Sequence, residues 1–288
     1  MNLTHPSING LHGHRWGALG VQTPNAVIAL CHGYAAHGAY PTIVYLAEVL
    51  ASRGFEVVSV DFTGHGRSKG IRALVPSSDS LLHEGTALFN YAEEVAAQYT
   101  KTLKVFLLGT SMGGAVALRV ANRVGTPRCA GTVLLAPMVS IAAENIPSRW
   151  LFPILRCVAC MLPWIAVVPG NASDSSVQYR DPERRQICDS DPLTYHGRVR
   201  LGTGVALIDT QLRVQEEMSS ISCPLFIIHG TADTVVMPAK SEDLHERVAS
   251  LDKKLWMIPG ALHGLMCEPE GTRVQIEKEI VQWLTHRC

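Results

Sequence analysis

Apolar residues run through this chain in two alternating rhythms. Short, largely apolar runs recur at residues 26–31, 55–60, 104–108, 131–135, 224–228 and 254–258. Such runs predict strands buried on both faces, as in a parallel sheet. Between them, apolar positions return every three or four residues, the spacing of a helix laid on that sheet. Residues 41–52, with Ile43, Leu46, Ala47 and Leu50, show this spacing clearly, and helices are also predicted over 81–98, 114–121, 238–251 and 272–285. Strand and helix in strict alternation predict an α/β protein whose sheet is covered by helices on both sides. Residues 11–22 differ: His12, His14 and Trp16 alternate with other residues, which suits a half-exposed edge strand of an antiparallel hairpin.

From residue 138 to about 212 the alternation breaks. Pro147, Pro153, Pro163, Pro169, Pro182 and Pro192 fall here, and residues 150–168 are almost wholly apolar apart from Arg156. The stretch is too short and too broken by proline for a membrane span. It predicts a partly helical cap, 138–212, inserted into a core made of residues 1–137 and 213–288. Its apolar stretch fits ordinary helical core and equally an entry for greasy substrate or a membrane-docking surface.

Composition narrows the function classes. With 288 residues, 47% of them hydrophobic, the chain can form one large domain with an insertion. Twenty-five basic and 25 acidic residues balance, so neither nucleic acid nor another polyanion is an expected partner. The eight cysteines (Cys31, Cys129, Cys157, Cys160, Cys188, Cys223, Cys267, Cys288) are scattered, several within apolar runs, and are read as reduced thiols. The first residues lack a basic end followed by an apolar stretch, so a cytoplasmic setting is expected and the sequons at Asn2 and Asn171 carry no meaning. Oligomeric state has no signature in the sequence.

Several chemistries fail on spacing. Residues 61–70 are glycine-rich but read G-x-G-x-x-x-G, and Pro76 delays the helix that a dinucleotide site needs. No glycine cluster has the Gly-Lys-Ser/Thr of a phosphate loop. His83-Glu84 and His245-Glu246 lack the second histidine of H-E-x-x-H. Cys157 and Cys160 form a C-x-x-C without a second pair at zinc spacing, which favours structural burial on one helical turn. His12 and His14 have no third ligand near them in sequence, so no metal is expected.

One motif fits its context. Gly109-Thr110-Ser111-Met112-Gly113 sits between the run at 104–108 and the helix at 114–121. Glycines on either side relieve the crowding of a strained strand-to-helix turn that lifts the Ser111 hydroxyl above the sheet. Asp233 follows the run at 224–228 and His263 follows that at 254–258. Singly, the aspartate reads as a helix cap and the histidine as a structural residue. Jointly, they stand with Ser111 at the carboxyl ends of strands, where open α/β sheets place their sites, in the chain order Ser, Asp, His.

These residues, together with His32-Gly33-Tyr34, Asp61, Gly64-His65-Gly66-Arg67-Ser68, Asp191-Pro192-Leu193-Thr194-Tyr195 and His229-Gly230-Thr231-Ala232, give a chain that resembles the monoglyceride lipase-like serine hydrolases of the α/β-hydrolase superfamily. It is most similar to the plant and protist branch of monoacylglycerol lipases, lysophospholipases and caffeoylshikimate esterase. The resemblance implies an α/β-hydrolase fold with a mostly parallel eight-stranded sheet and a mobile, apolar, mainly helical cap. It implies a cofactor-free esterase acting on a lipid ester, with the cap able to touch a membrane. Thr110 departs from the charged or polar residue that many relatives carry before the serine. Ser111 is then the nucleophile, His263 the base and Asp233 its orienting carboxylate; the Met112 amide, and by resemblance the Tyr34 amide, form the oxyanion hole. Monoacylglycerols or lysolipids are the expected substrates. A hydroxycinnamoyl esterase, an aminopeptidase and a non-catalytic binder are the alternatives, the aminopeptidase requiring an amine-binding acid among Glu144, Asp174, Asp181, Glu183, Asp189 and Asp191.

Overall fold

The computed structural model describes residues 3–100, 102–140, 152–168 and 174–288. Glu144, Pro147, Trp150, Pro169 and the Asn171 sequon, all within the expected cap, lie outside the described residues. The expected strands form at β4 (Val27–Cys31), β5 (Glu56–Val60), β6 (Val105–Thr110), β7 (Cys129–Leu135), β10 (Leu225–Gly230) and β11 (Lys253–Ile258). They pair in the order β5-β4-β6-β7-β10-β11, all parallel. Three N-terminal strands complete the sheet: β1 (Leu3–Thr4), β2 (Ser7–Ile8) and β3 (Leu11–Trp16). The hydrogen-bonded path is eight strands long, and the two-residue β2 adds to β3 as a ninth.

Side chains on successive residues of each strand go to opposite layers. Val27, Ala29, Cys31, Val58, Val60 and Leu107 join one buried cluster with residues of α2 (Ser78–Ala97), α3 (Met112–Val124) and α7 (Leu201–Glu217). Ile28, Leu30, Val57, Phe106, Leu108 and Phe226 join the other with α1 (Pro41–Ser52) and α9 (Glu270–Thr285). Because both faces are covered, the central strands carry apolar residues at nearly every position rather than at every second one. This is the architecture of an α/β hydrolase.

Four details differ from the sequence expectation. Residues 11–16 form the expected antiparallel hairpin, with β1 and β2 as its other arm, but β3 is the inner strand of that hairpin rather than the edge: it pairs with β1 and β2 on one side and β5 on the other, and it buries His14 and Trp16. Its alternation reflects a strand between a short outer strand and the core. Helix α2 starts at Ser78, earlier than expected, because Ser77 and Ser80 cap each other's backbone amides. Helix α8 (Pro238–Arg247) ends before 251, since Val248 turns to extended geometry and leaves Leu251 fully in solvent. Between β7 and β10, α4 (Phe152–Met161) leaves Cys157 and Cys160 exposed, so the expected burial of that pair is wrong; Ala159 occupies the inward position instead.

The same stretch between β7 and β10 also contains β8 (Ala166–Val168) and β9 (Val199–Arg200), paired antiparallel, with α5 (Ser175–Gln178) and α6 (Pro182–Asp189) between them. α7 runs continuously across residue 212 and is tied to the core. Its Thr210 hydroxyl donates to Ser78 Oγ at 3.0 Å, Thr203 Oγ1 donates to the Ala73 carbonyl at 2.8 Å, and Glu217 pairs with buried Arg119 at 3.3 Å. Among the described residues, no helix is long and apolar enough to cross a membrane.

Candidate active site

Ser111 stands between β6 and α3 with φ 53° and ψ −120°, a conformation costly for any residue with a Cβ. The surroundings fix it. Its amide donates to the Leu135 carbonyl at 3.0 Å, and its own carbonyl accepts from the amides of Gly114 at 2.9 Å and Met138 at 3.0 Å. The flanking glycines are required by close approach: a Cβ on Gly113 would lie 2.2 Å from the Cys31 carbonyl oxygen, and one on Gly109 would lie 2.3 Å from that of Gly113. The turn therefore wedges between β4 and the start of α3. The Met112 amide opens α3, where helix geometry leaves N–H groups without an intrahelical acceptor.

The loop after β4 crosses this turn. A Cβ on Gly33 would sit 3.3 Å from Ser111 Cβ, so the next residue, Tyr34, is at the rim of the same site. Buried His32 braces the loop: its Nδ1 donates to the Gly33 carbonyl at 2.7 Å and its Nε2 accepts from the Phe62 amide at 3.0 Å. Burial, with His65 close by, pulls the His32 pKa well below that of a free histidine, so the ring is neutral.

Asp233 follows β10 and His263 follows β11, and their loops are stitched together by the Ala232 amide on the Ala261 carbonyl and the Gly260 amide on Thr231 Oγ1. His263 Nδ1 donates to Asp233 Oδ2 at 2.6 Å. Asp233 Oδ1 accepts from the amides of Val235 and Val236 at 2.7 and 3.0 Å, while Oδ2 also meets His229 Nε2 at 3.0 Å. Burial alone would raise this carboxyl's pKa. His263, His229 and the Val236 amide outweigh that and hold it below the ordinary carboxylate range. An ionised Asp233 fixes the proton of His263 on Nδ1 and leaves Nε2 with its lone pair.

Ser111 and His263 line one cleft, with Gly33, Tyr34 and Thr110 at its polar end. Ile43, Leu46, Leu135, Val235, Leu265 and Met266 make its apolar walls, and Tyr40 and Tyr179 join their hydroxyls across it at 3.0 Å. Residues between β7 and β10 reach this cleft: the Gly264 amide donates to the Gln178 carbonyl at 2.9 Å, and Tyr195 N–H donates to the Ala35 carbonyl at 3.2 Å. Further along, His37 meets both oxygens of Asp191 at 3.1 Å.

Sequence reasoning gave no role to His229, the second histidine on Asp233. Its Nδ1 meets Ser241 Oγ at 2.6 Å, so the carboxylate is supported from behind by α8. A histidine closing an apolar strand, four residues before the aspartate, was the available signal.

The family described as Hydrolase_4 (serine aminopeptidase, S33) matches residues 22–270. Monoglyceride lipase of Homo sapiens is 32% identical over 270 residues, covering 92% of this chain and 84% of that protein. Caffeoylshikimate esterase of Arabidopsis thaliana is 29% identical over 262 residues, covering 90% of this chain and 77% of that protein. The crystal structure of Paleococcus ferrophilus monoacylglycerol lipase superposes with a TM-score of 0.78 at 25% identity, over 100% of both chains.

Proposed function

The chain belongs to the Hydrolase_4 family of monoglyceride lipase-like α/β-hydrolases, and on that premise we propose that it hydrolyses carboxylic esters of glycerol, monoacylglycerols or related lysolipids, through a Ser111–His263–Asp233 triad. The observation that carries the reading is the oriented His263–Asp233 pair opening on the same apolar-walled cleft as Ser111. In this mechanism His263 Nε2 takes the proton of Ser111 Oγ as that oxygen attacks the ester carbonyl. The imidazolium, stabilised by Asp233, returns the proton to the departing glycerol oxygen, leaving an acyl-serine. Water then repeats the sequence and releases the fatty acid. The Tyr34 and Met112 amides take the oxyanion, each donor contributing about 3 kcal/mol in the transition state.

The apolar walls around Ile43, Leu46 and Met266 favour an acyl chain, each further buried methylene adding about 0.8 kcal/mol. A hydroxycinnamoyl ester is the second reading, motivated by the caffeoylshikimate esterase relative. The aminopeptidase reading is weaker. Asp174 and Asp181 accept from the amides at the starts of α5 and α6, Asp189 accepts from Ser175 Oγ, and Asp191 meets His37, so these cap carboxylates are already engaged.

We take residues 138–212 as a cap anchored on the core through α7. Its α4 exposes Ile154 (55%) and Met161 (72%), and Trp164 (48%) follows, a surface suited to resting on a bilayer that supplies the lipid. Hydrolysis of 1-monoacylglycerols, hydroxycinnamoyl esters and aminoacyl amides by purified protein and by Ser111→Ala tests the assignment. Monoacylglycerol turnover should lead, and Ser111→Ala should lose on the order of 10⁶-fold in kcat. A variant as active as the parent, or turnover of the amides alone, refutes it.

A further inference from the structure

We infer that His5, His12 and His14 form a zinc site on the antiparallel side of the sheet, away from the ester-hydrolysing cleft. His12 and His14 are two residues apart on β3 and so share a face. The short β1–β2 connection brings in the third imidazole. The Gly13 amide donates to the Pro6 carbonyl at 2.8 Å, and Ser7 is in register with His12, which lays His5 over both rings. One ligand nitrogen from each histidine lies within 4.8 Å of the others, and the three ring centroids are 4.9 to 5.3 Å apart.

Two features distinguish this group from chance proximity. His5 Nδ1 lies 3.2 Å from His14 Nδ1, close to the roughly 3.3 Å that separates two ligands at about 2.0 Å from a tetrahedral Zn²⁺. Behind it, His14 Nε2 donates to Asp61 Oδ1 at 2.9 Å, which places the His14 lone pair on the nitrogen that faces His5. A carboxylate orienting a histidine from behind is how metal-ligating imidazoles are normally held. Asp61 is itself fixed by the amides of Gly38 at 2.7 Å and Arg67 at 2.7 Å. His14 is buried, His12 half-buried and His5 exposed, so an ion has a path from solvent and water can take the fourth position. Three neutral imidazoles suit Zn²⁺ better than the hard cations Mg²⁺ or Ca²⁺. None of the three lines the cleft of Ser111, so the site stands independently of the esterase reading.

The test is titration of the full-length, chelator-treated protein with ZnCl₂ by calorimetry and with Co²⁺ by visible absorption. One equivalent should bind, with the intense d–d bands of a four-coordinate cobalt ion. His5→Ala and His12→Ala, at the exposed and half-buried positions, should keep metal-free melting near that of the parent and each weaken binding at least about tenfold, and the double variant should abolish it. The inference is overturned by the absence of saturable binding, or by one-equivalent binding that survives in the double variant.

Discussion

Asp233 accepts four hydrogen bonds, two from backbone and two from histidines, and so exceeds what a loop cap requires. In Asp233→Asn the amide can no longer hold the proton of His263 on Nδ1, and kcat should fall about 10⁴-fold. Steady-state kinetics on a soluble nitrophenyl ester checks this, and a loss of less than about tenfold contradicts the assigned role. His65 gives a pH signature. Burial lowers its pKa from 6.5 to about 4; Arg72 and His37 act in the same direction, while the Thr63 carbonyl and Asp61 oppose it. The folded protein therefore resists a proton that the unfolded chain accepts near 6.5. That stability is fully present above the unfolded value and is lost as pH falls from 6.5 toward 4, by roughly 3 kcal/mol. Melting temperatures across this range should drop less steeply in His65→Gln than in the parent; equal slopes would show that His65 does not titrate in this way.

At the scale of the element, the β6–Ser111–α3 turn is set by how closely its glycines approach neighbouring backbone. Gly113→Ala places a methyl 2.2 Å from the Cys31 carbonyl oxygen, and neither β4 nor α3 can yield without moving Ser111. A destabilisation of about 2–3 kcal/mol, together with lost activity, is expected from denaturant unfolding and ester kinetics. Gly271→Ala is the control. It lies in the first turn of α9 with open space around it, so it should be neutral or stabilising by up to about 1 kcal/mol. The limits of pattern reading are also clearest at this scale. Largely apolar runs identified each central strand to within one or two residues, because burial on both faces disfavours polar side chains that lack a partner. The end of α8 was missed, because the apolar residue at 251 faces solvent and only the turn at Val248 records it.

Across the whole molecule, α4 and the turn after it leave Ile154, Val158, Met161 and Trp164 exposed. Val158→Asp and Met161→Asp should reduce co-sedimentation with phosphatidylcholine vesicles while leaving hydrolysis of a soluble short ester unchanged. Equal sedimentation of parent and variant would refute the proposed membrane contact through α4. The same helix shows what one-dimensional reading misses. Its apolar residues fit a buried helix and an exposed one equally, and only the placement of α4 leaves Cys157, Met161 and Cys160 in solvent.

The order of layers and the chain order Ser111, Asp233, His263 were set by the sequence alone, since local apolar periodicity and turn glycines act over a few residues and need no distant partner. Tertiary structure alone decided which distant side chains meet: Asp61 behind His14, Asp191 beside His37, and Glu217 beside Arg119. Those meetings depend on strand order and register, which follow from the summed packing of both faces of the sheet rather than from any single segment.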